Sequence, residues 1–164
     1  MLRLSKKADY ALIAMKHLAA DAPSGTASAR EIAERYTIPL ELLAKVLQQL
    51  TRRGFLVSQM GIHGGYHLAR PTTAITVAEI IEAIDGPLAI TACGPADERC
   101  EQFSKCNVRD PLWRVKDRIV DVLQTISLSD MARPDESEQP LTLRMGASDN
   151  ARARGRAIEK RSGA

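Results

Sequence analysis

The chain has 164 residues, with 23 Lys and Arg against 20 Asp and Glu, a net charge of +3, 45% apolar residues and only 4% aromatic ones. That length suits one domain whose core is aliphatic and packed with alanine. No run of 18 apolar residues offers a bilayer span, so no membrane partner is expected.

The opening stretch, MLRLSKKADYALIAMKHLA, spaces its apolar positions periodically between charges. That is unlike a secretory signal, and a cytoplasmic location is the expectation. Residues 5–20 are read as a helix with Ser5 as its N-cap, Leu12, Met15, Leu18 and Ala19 inward, and Ala8, Ala11 and Ala14 allowing close packing. Pro23-Ser24-Gly25 marks a loop. Ser28 and Glu31 form a capping box that opens the short helix SAREIAERY. Thr37-Ile38-Pro39 interrupts it, and Pro39 suits the first turn of the next helix, Leu40 to Arg53. Leu43, Val46, Leu47 and Leu50 give that helix its inner face, and Gly54 suits its C-terminal cap. Phe55-Leu56-Val57 begins a strand, Gly61 and Gly64-Gly65 mark a tight tip, and Tyr66-His67-Leu68 returns. Thr76 and Glu79 form a second capping box, and Asp85-Gly86-Pro87 stops the helix that follows. All three cysteines lie between 88 and 109. Asp110-Pro111 reads as an N-cap and first helical position. In the helix beyond, Leu112, Val115, Ile119, Val122 and Ile126 recur at three- and four-residue steps, a coiled-coil-like seam. Residues 132–164 are rich in Pro, Ser, Asp, Gly, Ala and Arg and are expected to be a disordered tail.

The predicted fold is mainly α with a small β-hairpin: a winged helix-turn-helix with a long C-terminal dimerisation helix. Its parts are a DNA-binding domain at 1–87, a cysteine-bearing loop at 88–109, a dimerisation helix at 110–131 and the tail. Residues 1–60 carry nine Lys and Arg against five acids, whereas 61–130 carry seven against ten. The basic end therefore suits a polyanion, and double-stranded DNA is the expected partner. The second helix of the motif would enter the major groove. Glu41, Lys45, Gln48 and Gln49 are its candidates for base edges: glutamine pairs with adenine and lysine with guanine. Arg52 and Arg53 at its far end suit phosphates, as do Ser28, Thr37, Lys6 and Lys7. His63 near the wing tip is placed to approach the minor groove or backbone. On a plain helical bundle the same residues would be solvated surface. A seam at 112–126 with no partner in so small a domain points to a homodimer reading a roughly palindromic operator.

Cys93, Cys100 and Cys106 are separated by six and five residues, neither gap matching a zinc knuckle. Thiolates are soft ligands for iron–sulfur clusters, copper(I) or zinc. Wide spacing can wrap a cluster, but the spacing alone leaves zinc, thiol-redox chemistry and unligated cysteines open. The histidines, at 17, 63 and 67, do not follow Cys106.

Taken together, LSKKADYAL, IAERYTIPLELLAKVLQQLTRRGFLVSQMGIHGGYHLAR, TVAEIIEAIDGP and the three-cysteine loop leading into PLW resemble the Rrf2 family of bacterial transcription regulators over about residues 1–130. The resemblance implies dimeric winged-helix DNA binding and a [2Fe–2S] or [4Fe–4S] cluster on the cysteine loop. Such members report cluster supply, iron, nitric oxide or redox state. Within the family the run DGPLAITAC, the cysteine spacing and PLWRVKD are most similar to regulators of the SUF cluster-assembly system. Members of the ISC type have a histidine just after the third cysteine, where this chain has Asn107-Val108-Arg109. Nitric-oxide-sensing members use an N-terminal aspartate as fourth ligand, and the resemblance puts Asp9 in that role. A site of three cysteines and Asp9 suits [4Fe–4S] somewhat better than [2Fe–2S].

The expected function is a repressor controlled by its cluster and acting on cluster-assembly genes. The rivals are a nitric oxide or thiol-redox responsive repressor and, in a different class, an iron–sulfur carrier or scaffold protein. No enzyme is expected: the chain lacks a nucleophile–base set and a phosphate loop.

Overall fold

The computed structural model describes residues 4–22, 25–61, 64–87, 101–102 and 104–133. Helix α1, Lys6–Lys16, begins where the Ser5 hydroxyl accepts from the Ala8 amide at 3.1 Å. Ala8, Ala11 and Ala14 are fully buried, and their small side chains let α1 lie close to its neighbours. The helix is shorter than its periodicity suggests, because His17–Asp21 widens into a π-helical turn.

The capping box expected at Ser28 is present at the start of α2, Ala29–Tyr36. The Ser28 amide donates to the Glu31 carboxylate at 2.6 Å, and the Glu31 amide donates to the Ser28 hydroxyl at 3.2 Å. Thr37 ends α2 in the left-handed region, φ 53°, the one described non-glycine residue there. Its backbone turns the chain sharply into Pro39, the N-cap of α3, Leu40–Arg52. Leu43, Val46, Leu47 and Leu50 are buried on the inner face of α3. Full burial of each such side chain contributes about 1.5–3 kcal/mol.

The wing is one strand wider than the hairpin read from the sequence. Strands β2, Leu56–Gln59, and β3, Gly65–Leu68, pair antiparallel with Val57 opposite His67 and Ser58 opposite Tyr66. Strand β1, Thr26–Ala27, adds to the far edge of β3. Gly65 permits that approach, since a Cβ there would sit 2.6 Å from the Ala27 carbonyl oxygen. A two-residue strand carries no alternation pattern, so β1 was illegible.

Helix α4, Val77–Asp85, opens on the Thr76–Glu79 capping box and buries Val77, Ala78, Ile80, Ile81 and Ala83. Helix α5, Arg109–Thr125, is the long C-terminal helix, and α4 packs against it. It starts one residue before the expected N-cap: Val108 precedes it in helical conformation, and Asp110 instead pairs with Arg109 at 2.8 Å. The chain does not stop there. Ile126 is extended, Ser127 caps a further helix, α6, Leu128–Ala132, and Leu128 is fully buried in the core. The last helix thus packs back on the unit built by residues 1–87, beyond the domain boundary drawn from the sequence. No helix among the described residues is long and apolar enough to cross a membrane.

Candidate nucleic-acid interface and cysteine-bearing segment

Helix α3 presents Glu41, Lys45, Gln48 and Arg52 as exposed residues at steps of four, three and four. At about 100° per residue these four fall within a stripe roughly 60° wide, opposite the buried leucines. The stripe offers one acceptor, two cationic donors and one carboxamide, the groups that meet base edges and phosphates. Arg53, Thr37 and Leu40 are also exposed beside it. Arg30, Glu34, Thr37, Pro39 and Leu40 rim a shallow cleft of about 450 Å³ between α2 and α3. Arg30, on the exposed face of α2, was not among the sequence candidates.

Gln49 lies elsewhere. It is half-buried on the flank of α3, and its side-chain N–H₂ donates to the carbonyls of Ala83 at 2.8 Å and Ile84 at 3.3 Å. A carboxamide whose donors are held by a helix end has no bidentate face left for adenine. Ser28 gives its amide and its hydroxyl oxygen, as acceptor, to the capping box, and these hydrogen bonds hold the Glu31 carboxyl below the usual carboxylate range.

The wing exposes Val57, Ser58, Gln59 and Met60, the last 95% accessible. His63 lies outside the described residues. The wing's base is fixed to α4 by Arg70, whose guanidinium stacks over Phe55 at 4.9 Å and donates to Glu79 at 3.3 Å. Burial pushes the Glu79 carboxyl up, but hydrogen bonds from Thr76 and Arg70 outweigh it, so the net shift is downward.

Lys6 and Lys7 are exposed at the start of α1, and Asp9 is exposed in the same first turn. Asp85, the last residue of α4, reaches this end: its carboxylate accepts from the Ser5 amide at 3.0 Å and the Ser5 hydroxyl at 2.5 Å. The sequence signalled neither this clamp nor the one at Gln49.

Of the three cysteines, Cys106 is described. It is half-buried with a free thiol, three residues before α5. Cys93 and Cys100 lie outside the described residues, as does nearly all of the expected tail. Among the described residues no three His, Cys, Asp or Glu side chains gather at one point. The donor set itself fits an iron–sulfur cluster: three soft thiols within fourteen residues, one of them a free, only partly covered cysteine. At the start of α5, the Arg109 guanidinium lies 5.3 Å from the ring centroid of Trp113, the chain's single tryptophan.

Helix α5 carries no fully buried residue. Val115 is 49% exposed, and Val115, Ile119, Val122 and Leu123, flanked by Arg114 and Arg118, line an open apolar groove of about 530 Å³. Leu112 is half-buried at the start of this helix. Ile126 lies just past it, where its carbonyl accepts from the Val77 amide at 2.9 Å. Leu123 was missing from the seam read in the sequence.

Comparison with known proteins agrees with this architecture. The Rrf2 pattern, described as an iron-dependent transcriptional regulator, matches residues 4–134. The HTH-type transcriptional regulator IscR of Photorhabdus laumondii is 34% identical over 136 residues, 82% of each chain. Among solved structures, IscR of T. potens is 31% identical, with a TM-score of 0.64 over 85% of this chain and 94% of its own. CymR, the global cysteine regulator of B. subtilis, is 30% identical, with a TM-score of 0.67 over 80% of this chain and 97% of its own.

Proposed function

The chain belongs to the Rrf2 family of transcriptional regulators, DNA-binding proteins and not enzymes, and on that premise we propose that it is an iron–sulfur-dependent repressor of cluster-assembly genes. The observation that carries this reading is the exposed stripe of α3, Glu41, Lys45, Gln48 and Arg52, on a helix-turn-helix whose cysteine-bearing segment leaves the same core. Lys45 and Gln48 take guanine and adenine edges, and Glu41 accepts from cytosine. Arg52, Arg53 and Thr37 hold phosphates, with Ser28, Lys6, Lys7 and His63 as further backbone contacts. The apolar groove of α5, with Leu112, Val115, Ile119, Val122 and Ile126, joins two copies, so the operator is roughly palindromic.

Cys93, Cys100 and Cys106 hold the cluster, with Asp9 of the second copy as fourth donor; this set favours [4Fe–4S] over [2Fe–2S]. When bound, the group supplies a centre sensitive to iron supply, oxidation and nitric oxide. The protein's own part is positional. The cysteine-bearing segment joins α4 to α5, and a change in its order alters how two recognition helices meet grooves about 34 Å apart. Full switching needs about 5.5 kcal/mol of differential affinity. A repressor of cluster assembly is expected to shut its genes when clusters are plentiful, so the loaded form is the one that represses. Two of the three relatives named above are IscR regulators. The run DGPLAITAC, the cysteine spacing and PLWRVKD are what favour SUF-type genes as targets, and the absence of a histidine at Asn107-Val108-Arg109 argues against a three-cysteine, one-histidine ligand set.

The test is anaerobic purification with visible absorption and iron and sulfide analysis, then binding of loaded and stripped protein to the DNA upstream of its own gene. Iron, sulfide and tighter binding by the loaded form support the reading. Release by nitric oxide at constant cluster supply supports the nitric-oxide rival. Ready cluster transfer to an acceptor with no operator preference supports the carrier rival. Asp9→Ala with unchanged spectrum and cluster lifetime removes Asp9 from the ligand set.

A further inference from the structure

The last turn of α4 does three things at once. The Ala83 and Ile84 carbonyls accept from Gln49 of the recognition helix, at 2.8 and 3.3 Å. The Asp85 carboxylate accepts from the amide and hydroxyl of Ser5, the N-cap of α1. One residue later, Gly86 ends the helix at φ 81°, and the chain leaves for the cysteines. Terminal carbonyls of a helix have no partner within it, so the Gln49 amide is a C-terminal cap supplied by another helix. Loss of that cap leaves the Ala83 and Ile84 carbonyls without the donor that ties α3 to this end of α4.

We infer that Gln49 is a positioning residue that clamps the recognition helix to the end of α4, so that the attitude of α3 follows the segment carrying the cysteines. The inference rests on the DNA-binding reading above and adds the residue through which the two ends communicate. Ser5–Asp85 is the second half of the device. It binds the same turn to the start of α1, which bears Asp9 one turn further on. The stripe of Glu41, Lys45, Gln48 and Arg52 lies on α3 itself, so rotation of α3 about this clamp moves all four together.

Coupling between sites is reciprocal: if the end of α4 governs α3, then DNA held by α3 must alter the end of α4. The experiment is amide hydrogen exchange of residues 80–87 with and without a duplex from the chain's own upstream region. It is run on wild type, Gln49→Met, which keeps the length and removes the donors, and Gln49→Lys, which restores a donor. In wild type, DNA slows exchange in this segment by roughly 5-fold or more, the lower range of measured couplings. In Gln49→Met the slowing is lost and affinity falls evenly across single-base operator variants, and Gln49→Lys recovers the slowing. The ratio of loaded to stripped affinity shrinks in Gln49→Met in parallel. Loss of preference at one base pair in Gln49→Met makes Gln49 a base reader and overturns the inference. Equal slowing in wild type and Gln49→Met, or none in wild type, overturns it as well while leaving the proposed function intact. A wild-type chain that binds no duplex contradicts both.

Discussion

The Leu128 amide donates to the Ile75 carbonyl at 2.8 Å, so the chain that leaves the winged helix through α5 returns to it. The Val77 amide donates to Ile126 in the same bridge, at 2.9 Å. Helix α5 is therefore held at its C-terminal end by the core it extends from.

This return makes Leu128 a structural keystone although it follows the exposed apolar face of α5. Its side chain is fully buried. Leu128→Ala should cost about 2–5 kcal/mol, the range for buried leucine truncation. Urea unfolding measures it. A loss below about 0.5 kcal/mol, typical of surface changes, would contradict the packing described.

His17 predicts a pH dependence. Its ring meets Tyr36 edge-on, with centroids 5.6 Å apart at 83°, and its Nδ1 lies 3.3 Å from the Tyr36 hydroxyl, which donates to Asp21 at 3.1 Å. Burial, and then the Arg35 guanidinium, lower its pKa below 6.5, partly offset by Asp21 and Glu31. The unfolded chain takes up the proton first. Stability is therefore full above about pH 6.5, falls as pH drops toward the lower folded value, and levels off below it. Glu31 and Glu79 have folded values below 4.5, so their contribution is lost only in a more acidic window. Urea midpoints from pH 8 to pH 5 show the decline in wild type, and His17→Gln flattens it. Identical profiles would contradict the account.

The apolar groove on α5 predicts the assembly state. Ile119→Asp places a carboxylate in the middle of that face. Sedimentation velocity should give a species of twice the 17.9 kDa chain mass for wild type and a monomer for the variant. A monomeric wild type would contradict the dimer, and a dimeric Ile119→Asp would put the interface elsewhere.

Two substitutions on the α3 stripe separate reading from holding. Gln48→Ala should relax discrimination at one base pair by about 1–3 kcal/mol. Arg52→Ala should weaken binding evenly over all sequences and lower the salt slope by about 1. Titrations of base-substituted duplexes at several salt concentrations distinguish them, and exchanged behaviour would mean that α3 lies in the groove in a different rotation.

The helices of the winged motif were legible because their signals are local. Ser28 and Glu31, Thr76 and Glu79, and the leucine spacing of α3 each lie within a few residues of one another. What was hidden depends on partners far along the chain. Gln49 looks like its neighbour Gln48 until α4, more than thirty residues on, claims its amide. Strand β1 exists only because Gly65 lets Ala27 approach β3. Asp110 has the composition of a cap, but Arg109 already occupies its carboxylate. The cysteine spacing alone left iron–sulfur, zinc, thiol-redox chemistry and unligated cysteines open, since three thiols on a connecting segment fix no distances by themselves.

The most direct test compares operator affinity of anaerobically loaded protein with that of a Cys93→Ser, Cys100→Ser, Cys106→Ser variant, at fixed salt and on the same upstream duplex. The account predicts that the loaded protein binds at least about 5-fold tighter, while both bind non-specific DNA alike. Equal operator affinity of the two proteins, with iron and sulfide demonstrably present in the first, would contradict it.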